Sequence, residues 1–365
     1  MNRRWICSDV WMDILPSFDR PQLGLKMALI SDRFDVLVDA HFDGKSELTL
    51  WRFILISKDK ESKANLSVWI NGKFVEFPLP DHPLPNKISF KDLRIEYVDH
   101  SVITFLRSNQ QIWDRSGTQL GLWIPTLQHT TSVDVQPIWD VFVREIWPIL
   151  ATSIRHLGFS DGHHLSYLRH HISPTILTDL NIHTIQSGCL CPGVIADDFD
   201  GPNATSSGQA LAKWLHTPSK DGQPKRLFFD ERAAEKNSGW INSFKEAFPR
   251  ATASSVSYKI HFAIRAPSTP IVPFELMNER TNEKLTLTNE ASFGSISRWL
   301  LKRCPIFEET AAAIQKQQKK IANWADNNLN NVFFDLSGCK NCIGPLSPPE
   351  AAAAKAADQI SEKGV

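Results

Sequence analysis

Three clusters of polar residues have types and spacings that could bind a metal ion or carry redox chemistry. A Cys-x-x-Cys pair stands at Cys339 and Cys342, four histidines fall between positions 163 and 171, and three aspartates fall between 197 and 200. Such a site needs further ligands at defined spacings, and the presence of those ligands decides each case.

The cysteine pair supplies half of a structural zinc site, which takes four ligands. No second Cys-x-x-Cys or Cys-x-x-His lies nearby, and Cys189 and Cys191 could complete the set only if the fold brought them close. The six cysteines of the chain do not form a dense disulfide framework, so reduced thiols are the favoured interpretation.

The histidines fall in a segment with a helical pattern, where His163 or His164 would stand about two turns from His171 and could not share one metal ion. A solvated helix face is therefore favoured over a ligand set. The acidic run resembles part of a calcium loop, but no glutamate closes the loop at its twelfth position, which favours a plain acidic turn. The sequence thus predicts neither a metal site nor a cofactor.

Enzyme signatures are also missing from the sequence. It has no Gly-x-Ser-x-Gly elbow, no Walker glycine loop and no dinucleotide fingerprint after a strand. The 40 basic and 40 acidic residues give a formal net charge of zero, which argues against nucleic-acid or membrane binding by the chain as a whole. We therefore expect a non-catalytic globular protein, and the lack of a leader or spanning segment predicts a cytoplasmic and/or nuclear location.

The elements that position any functional surface begin with a stretch of three short helices from Ile6 to Phe42. Ser8 is the predicted N-cap of the first helix, Pro21 starts the second, and Ser31 or Asp32 caps the third. Such a segment is too small to bury all its apolar surface alone, so much of that surface should be covered by something else.

Pro16 lies within the first helical pattern. Its ring would clash with the carbonyl group one turn earlier, so a kinked or shortened first helix is expected.

The pattern of the remaining chain predicts an α+β or α/β body. An antiparallel meander is predicted over 48–77, followed by alternating strands and helices that indicate a parallel sheet with crossover helices. Either a doubly wound sheet or an irregular, leucine-rich-repeat-like solenoid fits this alternation. We favour the solenoid, because no glycine-rich turn follows any strand. A second antiparallel hairpin is predicted after Pro267, so hairpins stand at both ends of the body.

The N-terminal stretch resembles the F-box, the module by which substrate receptors dock on the Skp-type adaptor of cullin-RING ubiquitin ligases. Its Ile6 and Cys7 align with the family's opening Leu-Pro, Asp9 aligns with the acidic position, and Phe34 stands where the family has tryptophan. The resemblance implies a set of apolar adaptor-binding and core residues. This set is Val10, Trp11, Ile14, Leu15, Phe18, Leu23, Met27, Ile30, Phe34 and Leu37.

The region 207–306 resembles the F-box-associated domains of the expanded F-box families of nematodes, through the motifs ALAKWLHTP, PFEL, EKLTLT and WLLKRCPI. The two resemblances imply a substrate-recognition subunit of an SCF-type ligase, whose partners are the adaptor, a cullin and an unknown target protein. Trp11, Leu15 and Phe34 are expected to give the largest binding losses when changed to alanine.

Two alternatives remain open. One is an interaction scaffold with a degenerate F-box, which Cys7 and Pro16 favour, and the other is an enzyme with an unrecognised site. The predicted domains are an F-box over 1–43, a substrate-binding body over 44–304, a C-terminal helix over 305–332 and a disordered tail over 333–365.

Overall fold

The structure is a computed structural model of the 365-residue chain. The described residues are 7–18, 22–42, 48–51, 54–59, 61, 63–70, 73–81, 83–84, 88–90, 92–116, 118–123, 136–159, 163–188, 190, 192, 206–220, 222–229, 239–252, 256–265, 270–293, 296–306, 330–336 and 342–346.

The chain groups by its contacts into two compact units. The first comprises Met1–Thr118, Ser132–Ser153 and Leu329–Val365, and the second comprises Gln119–Thr131 and Ile154–Asn328. This grouping does not follow the predicted boundaries at 43, 304 and 332, because later parts of the chain return to the first unit.

The first unit begins with short helical segments. These are α1 (Ser8–Ile14), a 3-10 turn (Leu15–Ser17), a π turn (Leu23–Met27), a 3-10 turn (Ala28–Ile30) and α2 (Asp32–Phe42).

The start and the end of α1 test two of the sequence predictions. Ser8 is the first helical residue, whereas Cys7 occupies the N-cap position and makes no side-chain capping bond, so the predicted Ser8 cap is wrong. The expected shortening is confirmed, since α1 ends before Pro16, which is instead accommodated at the start of the 3-10 turn.

The sheet of the first unit has the order β15-β6-β2-β3-β4. Its strands are β2 (Ile54–Lys58), β3 (Ala64–Ile70), β4 (Lys73–Pro78), β6 (Asp92–Ile95) and β15 (Asn330–Asp335). The pairs β2–β3 and β3–β4 are antiparallel, which confirms the predicted meander from β2 onwards. Strand β6 runs parallel to both β2 and β15. The strands β1 (Leu48–Trp51) and β5 (Ile88–Phe90) form a separate parallel pair.

The remaining helices of the first unit come after β6 and before β15 in the chain. They are α3 (His100–Ser108), α4 (Gln110–Ser116) and α5 (Gln136–Val141), the last continuing through a π turn (Phe142–Ile146) into α6 (Trp147–Leu150). Asp99 caps α3 by accepting a hydrogen bond from the Val102 amide at 3.1 Å.

Strand β15 includes residues that were predicted to start the disordered tail. Asn331 donates a side-chain hydrogen bond of 2.6 Å to Asp92, and Asp335 forms an ion pair with Arg94 at 2.5 Å. Further along, Ile343 makes a parallel bridge with Val98. These residues are ordered by long-range pairing, whereas most of the predicted C-terminal helix and the last residues of the tail lie outside the described part.

The second unit has strands in the order β12-β13-β14-β11-β10-β9-β8-β7. Their bounds are β7 (Thr118–Trp123), β8 (Ile154–Phe159), β9 (Thr184–Ser187), β10 (Lys225–Phe229), β11 (Tyr258–Arg265), β12 (Phe274–Asn278), β13 (Glu283–Phe293) and β14 (Ile296–Pro305).

The pairing in this sheet changes from parallel to antiparallel at β11. The strands from β8 to β11 are parallel neighbours in chain order, while β11, β14, β13 and β12 pair antiparallel. The expected mixed α/β fold with an antiparallel hairpin after position 267 is confirmed.

Helices of the second unit connect its parallel strands. They are α7 (His163–His171), α8 (Ile176–Asp179), α9 (Ser207–His216) and α10 (Gly239–Ala247), with a 3-10 turn at Phe248–Arg250. The start of α9 is fixed by a capping box, in which Ser206 and Gln209 each accept a hydrogen bond from the backbone amide of the other.

The sheet of the second unit has one covered face and one half-exposed face. Along β11, the side chains of Tyr258, Ile260, Phe262 and Ile264 are buried, and the residues between them are half-buried. Helices α9 and α10 both pack on the covered face, since His216 and Phe244 each lie against the Tyr258 ring, at 5.4 and 6.0 Å between ring centroids.

No helix within the described residues combines the length and the apolar character needed to span a lipid bilayer.

Candidate functional site

The N-terminal helical segments enclose a small apolar core. Its buried members are Leu15, Leu23, Ala28, Leu37 and Val38. The Trp11 and Phe34 rings pack against this core and meet edge to face, with centroids 4.8 Å apart and planes at 77°. This contact ties α1 to α2 across the break in helix that Pro16 causes.

The predicted adaptor-binding residues fall into three groups by exposure. Those inside the core are Leu15, Leu23 and Leu37. Those that are partly buried are Trp11, Ile14, Phe18, Met27 and Phe34. The exposed members are Val10 at 45% and Ile30 at 60%.

These exposures separate the residues that stabilise the module from those that remain on its surface. The sequence alone did not decide which residues belong to which set. Leu15 is fully buried in the chain's own core, so its truncation would act through the fold of the module. Val10 and Ile30 expose apolar surface that a partner can cover without any unfolding of the helices.

Acidic side chains accompany this apolar surface. Asp32 and Asp35 lie in the first turn of α2, where the helix dipole favours negative charge. Burial, with a contribution from the charge of Asp32, raises the pKa of the Asp35 carboxyl above its usual value. The module is also attached to the sheet of its own unit, because the Lys26 ammonium lies 5.2 Å from the centre of the Phe77 ring on β4.

A second candidate site is a group of buried charged residues in the second unit. Arg303 donates hydrogen bonds to one carboxylate oxygen of Glu283, at 2.9 Å from Nε and 2.5 Å from the terminal nitrogen. The other carboxylate oxygen accepts a 3.1 Å hydrogen bond from the Val256 amide. Both side chains of this ion pair are at most 2% exposed, so the pair depends on complete hydrogen bonding.

Lys225 is buried beside this pair, at the C-terminal end of α9. Its ammonium donates to the carbonyl oxygens of Trp214 and Thr217. The Trp214 carbonyl also accepts a 3.2 Å hydrogen bond from the Thr217 amide, so Lys225 adds to the C-terminal cap of the helix. Burial lowers the pKa of Lys225 to about 8. Burial likewise lowers the pKa of the neighbouring His216 to about 4, so this imidazole is neutral at pH 7.

The position of these charged residues argues for a structural role. Lys225 and Tyr258 are the first residues of β10 and β11, and Glu283 begins β13. Ligand sites in open α/β sheets lie at the carboxyl ends of parallel strands, whereas this group lies at the amino ends. These side chains supply hydrogen-bond partners to backbone groups near helix and strand termini and do not face a substrate site.

These buried charges are not among the predicted site residues, although the sequence contains a signal for them. Along β14, Arg303 stands two residues after Leu301 and four after Trp299, and along β13, Glu283 stands two residues before Leu285. The period-2 pattern of a half-buried strand therefore assigns both charged residues to the covered face.

The residues considered for metal binding are distributed as follows. His170 is exposed and His163 and His171 are half-buried, but His164 is fully buried, so the predicted solvated face is wrong for that residue. Cys342 is 4% exposed, and Cys339 lies outside the described residues, as do Cys189, Cys191, Asp197, Asp198 and Asp200. Within the described residues, no group of three or more His, Cys, Asp or Glu side chains has a metal-binding arrangement.

Comparisons of the chain with protein-family models, with curated proteins and with solved structures found no match in any of the three.

Proposed function

We propose that this chain is a non-catalytic substrate receptor of a cullin-RING ubiquitin ligase, which docks on a Skp-type adaptor through its N-terminal helices and binds a target protein with its α/β body. The observation that carries the proposal is the division of the N-terminal residues into a closed core and an exposed apolar surface at Val10 and Ile30. A docking module needs both, a core that holds the helices and apolar side chains left for a partner.

The mechanism would be proximity. The adaptor and the cullin would hold the receptor near a charged ubiquitin carrier, and the body would hold the target where its lysines can be reached. This raises the effective concentration of the target without bond chemistry by the receptor itself. The complex would act in the cytoplasm and/or the nucleus.

The body would have the one-sided, leucine-rich-repeat-like arrangement. Parallel strands from β8 to β11 are added in one direction without a reversal, and right-handed crossovers then leave every connecting helix on the same face. The packing of α9 and α10 on one face supports this arrangement, which leaves the other face of the sheet for a target.

The experiment is capture of the adaptor and cullin by the tagged full-length protein. A Val10→Glu/Ile30→Glu variant should lose capture at least tenfold, because it places charge on the exposed apolar surface while leaving the core intact. The matched control is Val272→Glu/Met277→Glu, which changes two residues of the second unit that are 71% and 61% exposed.

The alternative function is an interaction scaffold with a degenerate F-box. Cys7 and the early end of α1 before Pro16 are the observations that favour it. If the unchanged protein fails to capture the adaptor at concentrations that retain other F-box proteins, the ligase proposal is refuted and the scaffold function replaces it.

A further inference from the structure

Three basic residues stand side by side on the half-exposed face of the sheet in the second unit. The strand register places Arg226 on β10 opposite Lys259 on β11, and Lys259 opposite Lys302 on β14. Neighbouring strands lie about 4.8 Å apart, so the backbone positions of the three residues span about 10 Å. We call this row of Arg226, Lys259 and Lys302 the cationic row.

The cationic row opposes the stability of the sheet, since like charges directly across neighbouring strands repel. Burial lowers the pKa of Lys259, and the charges of Lys302 and Arg226 lower it further. Among the described residues, no carboxylate forms an ion pair with Lys259 or Lys302. Glu290 acts only weakly on Lys259, and its carboxylate instead lies 3.2 Å from the His261 ring.

A strip of aromatic and aliphatic side chains runs beside the cationic row, two residues away from it on each strand. Phe228 on β10 faces His261 on β11, and their rings are stacked 4.8 Å apart with an interplanar angle of 8°. Leu300 on β14 is paired with His261 and completes the strip. The three side chains are half-buried, so each retains surface that a bound molecule can cover.

We propose that this face binds an extended acidic segment of a partner protein, with its anionic side chains on the cationic row and an apolar side chain on the strip of Phe228, His261 and Leu300. Charge complementarity selects this occupant, because the anions would relieve the repulsion between Lys259 and Lys302, which have no ion pair among the described residues. Alternate side chains of an extended segment are about 7 Å apart on one face, so two such anions fit within the length of the row.

The extent of the row favours a peptide over a nucleic acid. Thr184 on β9 flanks Arg226, and Thr286 on β13 flanks Lys302, so the row ends after three strands. Nucleic-acid binding draws on many phosphate contacts along a continuous basic track. Calling the bound segment a ligase target depends on the proposed function, whereas the binding of an acidic segment does not.

The test uses the full-length protein and fluorescein-labelled peptides of twelve residues, in which three glutamates alternate with leucines. Matched peptides carry phosphoserine or lysine in place of glutamate, and a labelled twelve-nucleotide oligothymidylate is the fourth probe. Fluorescence anisotropy should show binding of the glutamate or the phosphoserine peptide that weakens as salt is added. The tighter of the two identifies the anion as carboxylate or phosphate.

The variant Lys259→Gln/Lys302→Gln should weaken that binding at least tenfold. It removes a like-charge repulsion and therefore keeps the fold, which thermal unfolding verifies. The matched control is Lys220→Gln/Lys245→Gln, which removes two charges from a turn and from α10. The control should bind as the unchanged protein does.

Four results would overturn the assignment. They are failure of the unchanged protein to bind either anionic peptide at 1 mM, equal binding of the lysine peptide, full binding by Lys259→Gln/Lys302→Gln, or tighter binding of oligothymidylate. Adaptor capture by the same variant separates the two proposals. A variant that captures the adaptor but loses the peptide supports the cationic row, whereas peptide binding without adaptor capture refutes only the ligase function.

Discussion

The Trp11 indole meets the Phe34 ring edge to face, with centroids 4.8 Å apart, and so joins α1 to α2. Helix α1 has only seven residues and could not persist alone in water. Tertiary contact with α2 therefore holds it in place, and the integrity of this module depends on packing rather than on helix propensity.

Leu15→Ala should destabilise the N-terminal module by about 2–5 kcal/mol, because Leu15 is fully buried and its truncation leaves a cavity. Hydrogen exchange of the α2 amides measures this effect locally. Val36→Ala is the control, since Val36 is 66% exposed on the same helix, and its cost should stay within about 0.5 kcal/mol. Equal protection of α2 in the unchanged protein and the Leu15 variant would contradict the assigned core.

The helices and strands with local signals could be predicted from the sequence. Asp99 caps a helix, Pro16 ends one, and the alternation around Ile260 gives a strand with one covered face. Each of these features follows from residues within a few positions of one another.

Long-range pairing could not be predicted in this way. Asn331 and Asp92 are paired in neighbouring strands although they are 239 residues apart in the chain. The local pattern of each strand does not indicate which other strand it pairs with. The segment LTDLNIHTI, residues 177–185, has an apolar pattern that favours one strand, but it spans the end of the helix Ile176–Asp179 and the start of the short strand Thr184–Ser187. Its apolar residues fit either periodicity, and packing decides between them.

The buried ion pair makes a prediction about the second unit. Arg303→Met should cost about 3–5 kcal/mol of unfolding free energy, because it leaves the Glu283 carboxylate buried without its partner. The double variant Arg303→Met/Glu283→Gln removes both charges and should recover part of that loss. Chemical denaturation of the single and double variants gives the coupling energy, and strictly additive costs would show that the two residues do not interact.

Burial of histidine should make the second unit sensitive to acid. The pKa of His216 is lowered to about 4 in the folded chain from an ordinary value of 6.5, so the unfolded state binds more protons between these values. Stability is therefore present above pH 6.5 and is lost as the pH falls towards 4, by about 3 kcal/mol for this residue.

The variant His216→Phe tests this dependence while keeping an aromatic ring against Phe244 and Tyr258. Denaturation at pH 7 and pH 4 should show a smaller loss of stability on acidification than in the unchanged protein. His170→Phe, at an exposed position, should leave the loss unchanged. Because burial also lowers the pKa of His156 to about 4, part of the acid sensitivity should remain in the His216 variant.

Gly344 shows how closely residues 342–346 pack against the segment from Tyr97 to Asp99. The Gly344 amide donates a 2.8 Å hydrogen bond to the Val98 carbonyl, and the Val98 amide donates at 2.9 Å to the carbonyl of Cys342. A Cβ atom at position 344 would overlap the Tyr97 ring and lie 2.9 Å from the Asp99 Cβ. Only glycine fits this approach without a shift of the neighbouring backbone or ring.

Gly344→Ala should therefore weaken the docking of residues 342–346 by about 1–3 kcal/mol, the usual cost of overpacking. Hydrogen exchange of the Val98 and Gly344 amides measures it, and both should exchange about tenfold faster or more. Pro345→Ala is the control, because the Pro345 side chain is exposed and its carbonyl can still accept from the His100 amide. If Gly344→Ala leaves both amides protected, the segment does not lie against Tyr97, and the tail would revert to the disorder expected from its composition.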